Sequence, residues 1–292
     1  MRVIKGKSFA DVYKQSLQSV IHNPEFITSP RDMLIKEVTN MALVIENPEL
    51  CLYDNKKRSS QYKYIAAELL FYFSGRKDLK FIEKYAAFWR QIANPDETLN
   101  SAYGNLIFTQ KNQSGLSQWQ WAMQSIIKDK NTRQAVMLFS KPQYQYKENK
   151  DVICTLSGLF NIRNNKLNFK INMRSNDVIL GTPTDIAFFC LLQQQALILL
   201  REYYPELELG TYTHIADSYH IYERHFKLVE EMLESDFDAN AFPEIKINFI
   251  DIDGNTTESF NKLMHSVEKC TNLETNDHFF RTIKTTLTED AK

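Results

Sequence analysis

Cys154 stands in the stretch Asp151-Val-Ile-Cys-Thr155, and twenty residues further on the chain reads Arg174-Ser-Asn-Asp177. A lone cysteine in an apolar strand is usually a small buried hydrophobe. The company of this one is different. A guanidinium on a neighbouring strand would favour the thiolate, which is a good nucleophile for conjugate addition to an electron-poor ring. Arg31 and Arg133 both lie in loops, Thr28-Ser-Pro-Arg-Asp32 and Asp129-Lys-Asn-Thr-Arg133. Either alone reads as a solvated charge. With Arg174 they could clamp a phosphate by bidentate hydrogen bonds. Glu68 is the odd residue of Ile65-Ala-Ala-Glu-Leu-Leu-Phe71. It either reaches solvent past its neighbours or is buried with partners and a raised pKa, which suits proton handling. His220 and His225 are five apart, off the i,i+4 face of a helical metal pair, so no metal site is expected. His220 and Tyr222, two apart, could share one sugar hydroxyl. Asp185, read on its own, is a helix N-terminal cap.

These residues need elements to position them. Ser8-Phe-Ala-Asp11 reads as a capping box opening a helix through about Ile21. Lys63 to Phe73 has helical apolar spacing and stops at Gly75. Leu79 to Ile92 and Ser117 to Ile127 read as further amphipathic helices. A β-rich block follows: Ala135 to Phe139, then Val152 to Ile162 and Lys166 to Met173 around an Asn164-Asn165 turn. On the last strand Leu167, Phe169, Ile171 and Met173 share one face, while Asn168, Lys170, Asn172 and Arg174 share the other. A long buried helix is expected over about Asp185 to Tyr203, a strand over Leu207 to His214 and a helix over Tyr219 to Leu233. A late strand over Ile245 to Ile250 and a helix near Ser259 to Val267 complete the reading. The tail after about Asn272 is polar and expected to be loosely held. Helices and strands mix without a regular βαβ beat, so the prediction is a single α+β domain over residues 1–292, with its core at about 29–250.

Bulk properties narrow the function classes. The net charge of 292 residues is -1, so no global field favours nucleic acid or an anionic membrane. Four cysteines without a CxxC pairing, and no signal-peptide pattern, fit a reduced cytoplasmic setting. The apolar run from Ile186 to Leu200 is interrupted by Gln193-Gln194-Gln195 and reads as a core helix, not a membrane span.

From about Ser29 to His225 the chain resembles the thymidylate synthase family, and within it the deoxycytidylate hydroxymethylases and related nucleotide hydroxymethylases. The resemblance implies a thymidylate synthase-like fold, a nucleotide monophosphate substrate, 5,10-methylenetetrahydrofolate as co-substrate, and a homodimer in which Arg133 reaches the partner's phosphate. It implies Cys154 as nucleophile, Arg174, Ser175 and Arg31 as phosphate contacts, and His220 and Tyr222 on the sugar. Glu68, Trp89 and Tyr103 would order water and protons around base and folate. Asp177, Leu180 and Gly181 would face the folate, with Gly181 letting it approach the backbone.

Departures from the family pattern are informative. Thymidylate synthases have Cys-His where this chain has Cys154-Thr155, and a second Trp where it has Ile92. Gln134 replaces an arginine, Leu159 replaces a glutamine, and the apolar C-terminal tail that closes over folate is not visible in Thr-Glu-Asp-Ala-Lys292. The sharpest departure is Asp185, where thymidylate synthases have Asn. An amide suits uracil; a carboxylate accepts from the 4-amino group and protonated N3 of cytosine. The resemblance therefore implies addition of Cys154 to C6 of a cytosine nucleotide, dCMP over CMP. Transfer of a one-carbon unit to C5 and capture of water would give a 5-hydroxymethyl product. Alternatives are hydride capture giving a 5-methyl nucleotide, a thymidylate synthase acting on dUMP, and a non-catalytic nucleotide- or RNA-binding relative.

Overall fold

The computed structural model describes residues 1–288. Residues 289–292, on which the expectation of a missing apolar tail partly rests, lie outside the described residues. The elements run β1 (Arg2–Gly6), α1 (Phe9–His22), β2 (Phe26–Thr28), β3 (Ile35–Ile45), β4 (Leu52–Asp54) and α2 (Tyr62–Phe73). Next come α3 (Leu79–Ile82), α4 (Phe88–Ile92), α5 (Gln118–Lys128), β5 (Val136–Leu138), β6 (Thr155–Arg163) and β7 (Lys166–Asp177). The chain ends with α6 (Thr182–Leu200), β8 (Glu208–Tyr222), α7 (Phe226–Leu233), β9 (Asp238–Asn240), α8 (Glu258–Lys269) and α9 (His278–Thr288).

Among the described residues, seven strands form one mixed sheet in the order β1-β3-β8-β7-β6-β5, with β2 also on β3. β7 and β8 pair in parallel, placing Ser175 beside Ser218 and Asp177 beside His220. The β6–β7 hairpin turns at Asn164 and Asn165, both with positive φ, as a two-residue type I′ turn requires. The alternation read on β7 is borne out: Leu167, Phe169, Ile171 and Met173 are buried, and the opposite face is partly open. Helix α6 crosses the buried face. It is long and apolar enough to span a membrane by length and composition, yet it is packed inside the protein. The Ser8 capping box forms, with Ser8 and Asp11 bonding each other's backbone.

Several expectations need correction. The helix expected over Leu79 to Ile92 is broken into α3 and α4. The strand expected to end at His214 continues to Tyr222, and the helix expected from Tyr219 begins only at Phe226. Pairing with β3 throughout, and with β7 as far as His220, holds residues 219–222 extended, overriding their helical spacing. No strand forms over Ile245 to Ile250; that segment has only the isolated bridge between Ile250 and Thr256. The N-terminal strands β1 to β3 were not read from the sequence. The tail after Asn272 is not loose: α9 buries Phe279, Phe280, Ile283 and Leu287. Phe280 lies 5.5 Å from Phe249, which lies 5.1 Å from Phe73 of α2.

The Phe280→Ala substitution is therefore expected to lower the unfolding free energy by about 3–5 kcal/mol. Urea denaturation measures it, and a loss below about 0.5 kcal/mol would mean α9 is not part of the core.

Candidate active site

Cys154 immediately precedes β6 and is half-buried. Arg174, one strand away, fixes it. Its backbone N–H donates to Cys154 O at 2.9 Å, Nε donates to Ile153 O at 3.0 Å, and Nη2 to Val152 O at 2.8 Å. The same Nη2 lies 3.5 Å from Cys154 Sγ. Burial pushes the thiol above its ordinary value; Arg174 opposes that, while Asp185 and Asp151 add to it.

Glu68 is buried on α2, settling the alternative left open by its sequence context. It accepts from Tyr64 Oη at 2.8 Å and Tyr72 Oη at 3.3 Å. Tyr64 Oη in turn accepts from Trp89 Nε1 at 3.1 Å, so Trp89 reaches Glu68 through one hydroxyl. Burial raises the Glu68 carboxyl to about 7 against the three hydroxyls, Tyr64, Tyr72 and Thr184, that lower it. Tyr103 is buried, stacked on Tyr72 at 5.1 Å. Burial raises its hydroxyl strongly, with Asp185 and Cys154 next in effect. Gly104 makes this packing possible: a Cβ there would sit 1.6 Å from Tyr72 O.

Asp185 lies in the first turn of α6 but caps nothing. Its Oδ2 accepts from Asn176 Nδ2 at 2.8 Å. Burial, then Glu68, push its carboxyl well above the usual carboxylate range. Asn176 belongs to a buried chain that sequence reasoning missed. Its Oδ1 accepts from Thr182 Oγ1 at 2.6 Å and lies 3.0 Å from His214 Nε2, while His214 Nδ1 lies 2.9 Å from Tyr212 Oη. Gly181 stands over this chain: a Cβ there would lie 2.9 Å from Asn176 Nδ2 and 3.3 Å from Asp185 Oδ2. Its close approach is thus to the Asn176–Asp185 bond. Thr155 Oγ1, beside the nucleophile, is buried without a hydrogen-bond partner.

The turn from β7 into α6 is held by Asp177, whose Oδ1 accepts from Ile179 N at 2.8 Å and Leu180 N at 3.0 Å. Leu180 is left exposed. Ser175 is half-buried beside Ser218. His220 packs edge-on against Tyr222 at 5.0 Å, and Arg31 Nη2 lies 3.5 Å from Tyr222 Oη. Arg31 and Asp32 both have left-handed backbone, φ 53° and 61°, a conformation costly to non-glycine residues. Arg31, His220 and Tyr222 are therefore brought together, as are Cys154, Arg174, Glu68, Tyr103 and Asp185. Arg133 is not. It is exposed before β5, whose Val136 pairs with Leu159. It thus lies beyond the far end of β5, roughly 25 Å from Cys154 along the strand direction at about 3.3 Å per residue. Among the described residues there is no His/Cys/Asp/Glu group able to hold a metal ion.

The arrangement offers a thiol nucleophile, a guanidinium over it, and two buried carboxyls with raised pKa in a wall of tyrosines. That is equipment for adding to an electron-poor ring and moving protons around it.

The thymidylate synthase family model matches residues 11–270. The chain is 30% identical over 175 residues to the deoxycytidylate 5-hydroxymethyltransferase of Enterobacteria phage T6, covering 58% of this chain and 70% of that protein. It is 29% identical over 233 residues to the deoxyuridylate hydroxymethyltransferase of Bacillus phage SP01, covering 76% of this chain and 59% of that protein. The solved structure of thermostable thymidylate synthase A from Bacillus subtilis has the same fold, with a TM-score of 0.65 at 20% identity over 82% of this chain and 88% of that one. With the mixed sheet, the buried α6 and the matched residues in hand, the chain belongs to the thymidylate synthase family and is an enzyme of one-carbon transfer to a nucleotide.

Proposed function

We propose that this enzyme hydroxymethylates C5 of a cytosine nucleotide, dCMP in preference to CMP. The observation that carries the reading is Asp185: a carboxyl, not an amide, in the pocket with Cys154 and Glu68. A carboxyl accepts from the 4-amino group and shares a proton with N3, matching cytosine's edge. The phage T6 relative named for deoxycytidylate supports the same base. The SP01 relative, named for deoxyuridylate, favours hydroxymethylation with the other base as the second reading.

In this proposal Arg174, Ser175 and Arg31 hold the phosphate. His220 and Tyr222 hold the sugar. Arg133 comes from a second copy of the chain, because within one chain it lies far from Cys154. As Cys154 sulfur bonds to C6, its proton passes to water and the C5–C6 double-bond pair moves to C5. 5,10-Methylenetetrahydrofolate, when bound, supplies the one-carbon unit that C5 takes up. The residues present fit its aromatic rings. Leu180 and Val152 are exposed apolar residues, Trp89 is buried, and Asp177 uses only one carboxylate oxygen in its turn. Once the C5 proton is lost and the carrier is released, water ordered by Glu68, with Tyr64 and Tyr72, adds to the one-carbon unit while the Cys154–C6 bond breaks, leaving a hydroxymethyl group. Ile92 leaves that region open to water where a bulkier ring would dry it.

Mass spectrometry of the nucleotide product tests this directly. Incubated with 5,10-methylenetetrahydrofolate, dCMP is expected to gain CH2O and dUMP to remain unchanged. A gain of CH2 on dCMP would overturn water capture, and turnover of dUMP alone would overturn the base assignment. Replacing Asp185→Asn is expected to cut kcat/KM for dCMP at least about 100-fold and to raise that for dUMP.

Glu68 carries a pH signature of its own. Its pKa rises from an ordinary 4.5 to about 7 on folding. Between those values the folded state holds the extra proton. Its contribution to stability is therefore full below pH 4.5 and lost as pH rises through 7, by up to about 3 kcal/mol. Chemical denaturation of the protein and Glu68→Gln across pH 4 to 8 should show the difference shrink to a plateau above 7. A pH-independent difference would refute the buried, raised carboxyl.

A further inference from the structure

The chain Tyr212–His214–Asn176 ends on the carboxyl assigned to the base, and its hydrogen bonds have a direction. Tyr212, His214, Asn176 and Thr182 are all buried, each 3% exposed or less. Tyr212 Oη has His214 Nδ1, at 2.9 Å, as its hydrogen-bond partner. A buried phenolic proton needs an acceptor, so Tyr212 donates to Nδ1. His214 is neutral, since burial lowers it to about 3; its one N–H is then on Nε2 and donates to Asn176 Oδ1 at 3.0 Å. Thr182 Oγ1 donates to the same oxygen at 2.6 Å. Two donors on Oδ1 fix the amide, so Nδ2 must point the other way and donate to Asp185 Oδ2 at 2.8 Å.

A carboxylic acid is otherwise a poor discriminator between pyrimidines. With the proton on one oxygen it matches the amino group and N3 of cytosine. Moved to the other oxygen, the same proton matches the 4-oxo group and N3–H of uracil. An N–H donor held against Oδ2 makes that oxygen the acceptor and leaves Oδ1 to carry the proton. The carboxyl then presents one pattern, not two.

We propose that Tyr212, His214 and Asn176 are positioning residues that set base selectivity by fixing which oxygen of Asp185 carries its proton. Gly181 serves the same end by leaving room for the Asn176–Asp185 bond. The inference rests on Asp185 facing the pyrimidine, as proposed above.

The test is calorimetric binding of dCMP and dUMP to the full-length protein, with kcat/KM for each nucleotide alongside. The variants are His214→Phe, Tyr212→Phe and His214→Gln, each checked for wild-type-like circular dichroism. Wild type is expected to prefer dCMP. His214→Phe and the near-isosteric Tyr212→Phe should shrink the dCMP:dUMP affinity ratio about 10-fold or more, chiefly by strengthening dUMP. His214→Gln, which can still donate to Asn176, should recover part of it. A purely structural role would weaken both nucleotides equally and leave the ratio unmoved. An unmoved ratio in folded Tyr212→Phe and His214→Phe overturns the proposal. If wild type prefers dUMP, the cytosine reading falls, but the relay stands if its variants relax that preference and falls if they do not. Failure of wild type to bind either nucleotide overturns both.

Discussion

Two buried carboxyl groups lie close together beside Cys154, and they cannot both be charged without large cost. Glu68 and Asp185 come from different helices, α2 and α6, yet each lies within the other's field. Low-dielectric surroundings make that repulsion strong. The neighbours answer it with hydroxyls and an amide: Tyr64 and Tyr72 on Glu68, Asn176 on Asp185. Those partners are in turn fixed by Trp89, Thr182 and His214. Much of the inner wall of the site is thus a consequence of keeping two acids in one place, at least one of them protonated near neutral pH.

The sheet makes that placement possible. Parallel pairing of β7 and β8 brings the end of one strand, Ser175 to Asp177, against Ser218 to His220 of the other. Asp177 then turns the chain sharply into α6, so that Asp185 points back at the strand ends. Arg174 meanwhile reaches across to β6 and holds the backbone around Cys154. Cys154, Arg174 and Asp185 therefore lie on or beside three consecutive elements, β6, β7 and α6, and meet at one end of the sheet's inner strands.

The residues gathered at the candidate site were legible in the sequence because their types are unusual for their places. Cys154 followed by Arg174, and Glu68 in an apolar helix, stand out without any coordinates. The hairpin was legible from Asn164-Asn165 and the period-two pattern of β7. The long reach of β8 was not: Tyr219 to Tyr222 has helical spacing, and only pairing with β3, joined by β7 as far as His220, makes it a strand. Nor was α9, since Phe279 and Phe280 sit among polar residues and their burial depends on Phe249, thirty residues away. Asn176 and His214 gave no signal at all. An asparagine beside an aspartate in a turn, and a histidine alternating with threonine and tyrosine, look ordinary until the strands are laid side by side.

The setting of Cys154 has a bearing on the protein's chemical lifetime. Oxidants and alkylating agents attack the thiolate, and a thiol held above its ordinary value presents little of it. Half-burial and the acids around it keep the sulfur protonated at rest, even with Arg174 close by. A sulfur held this way is a poor target for such reagents wherever the acids and the burial persist.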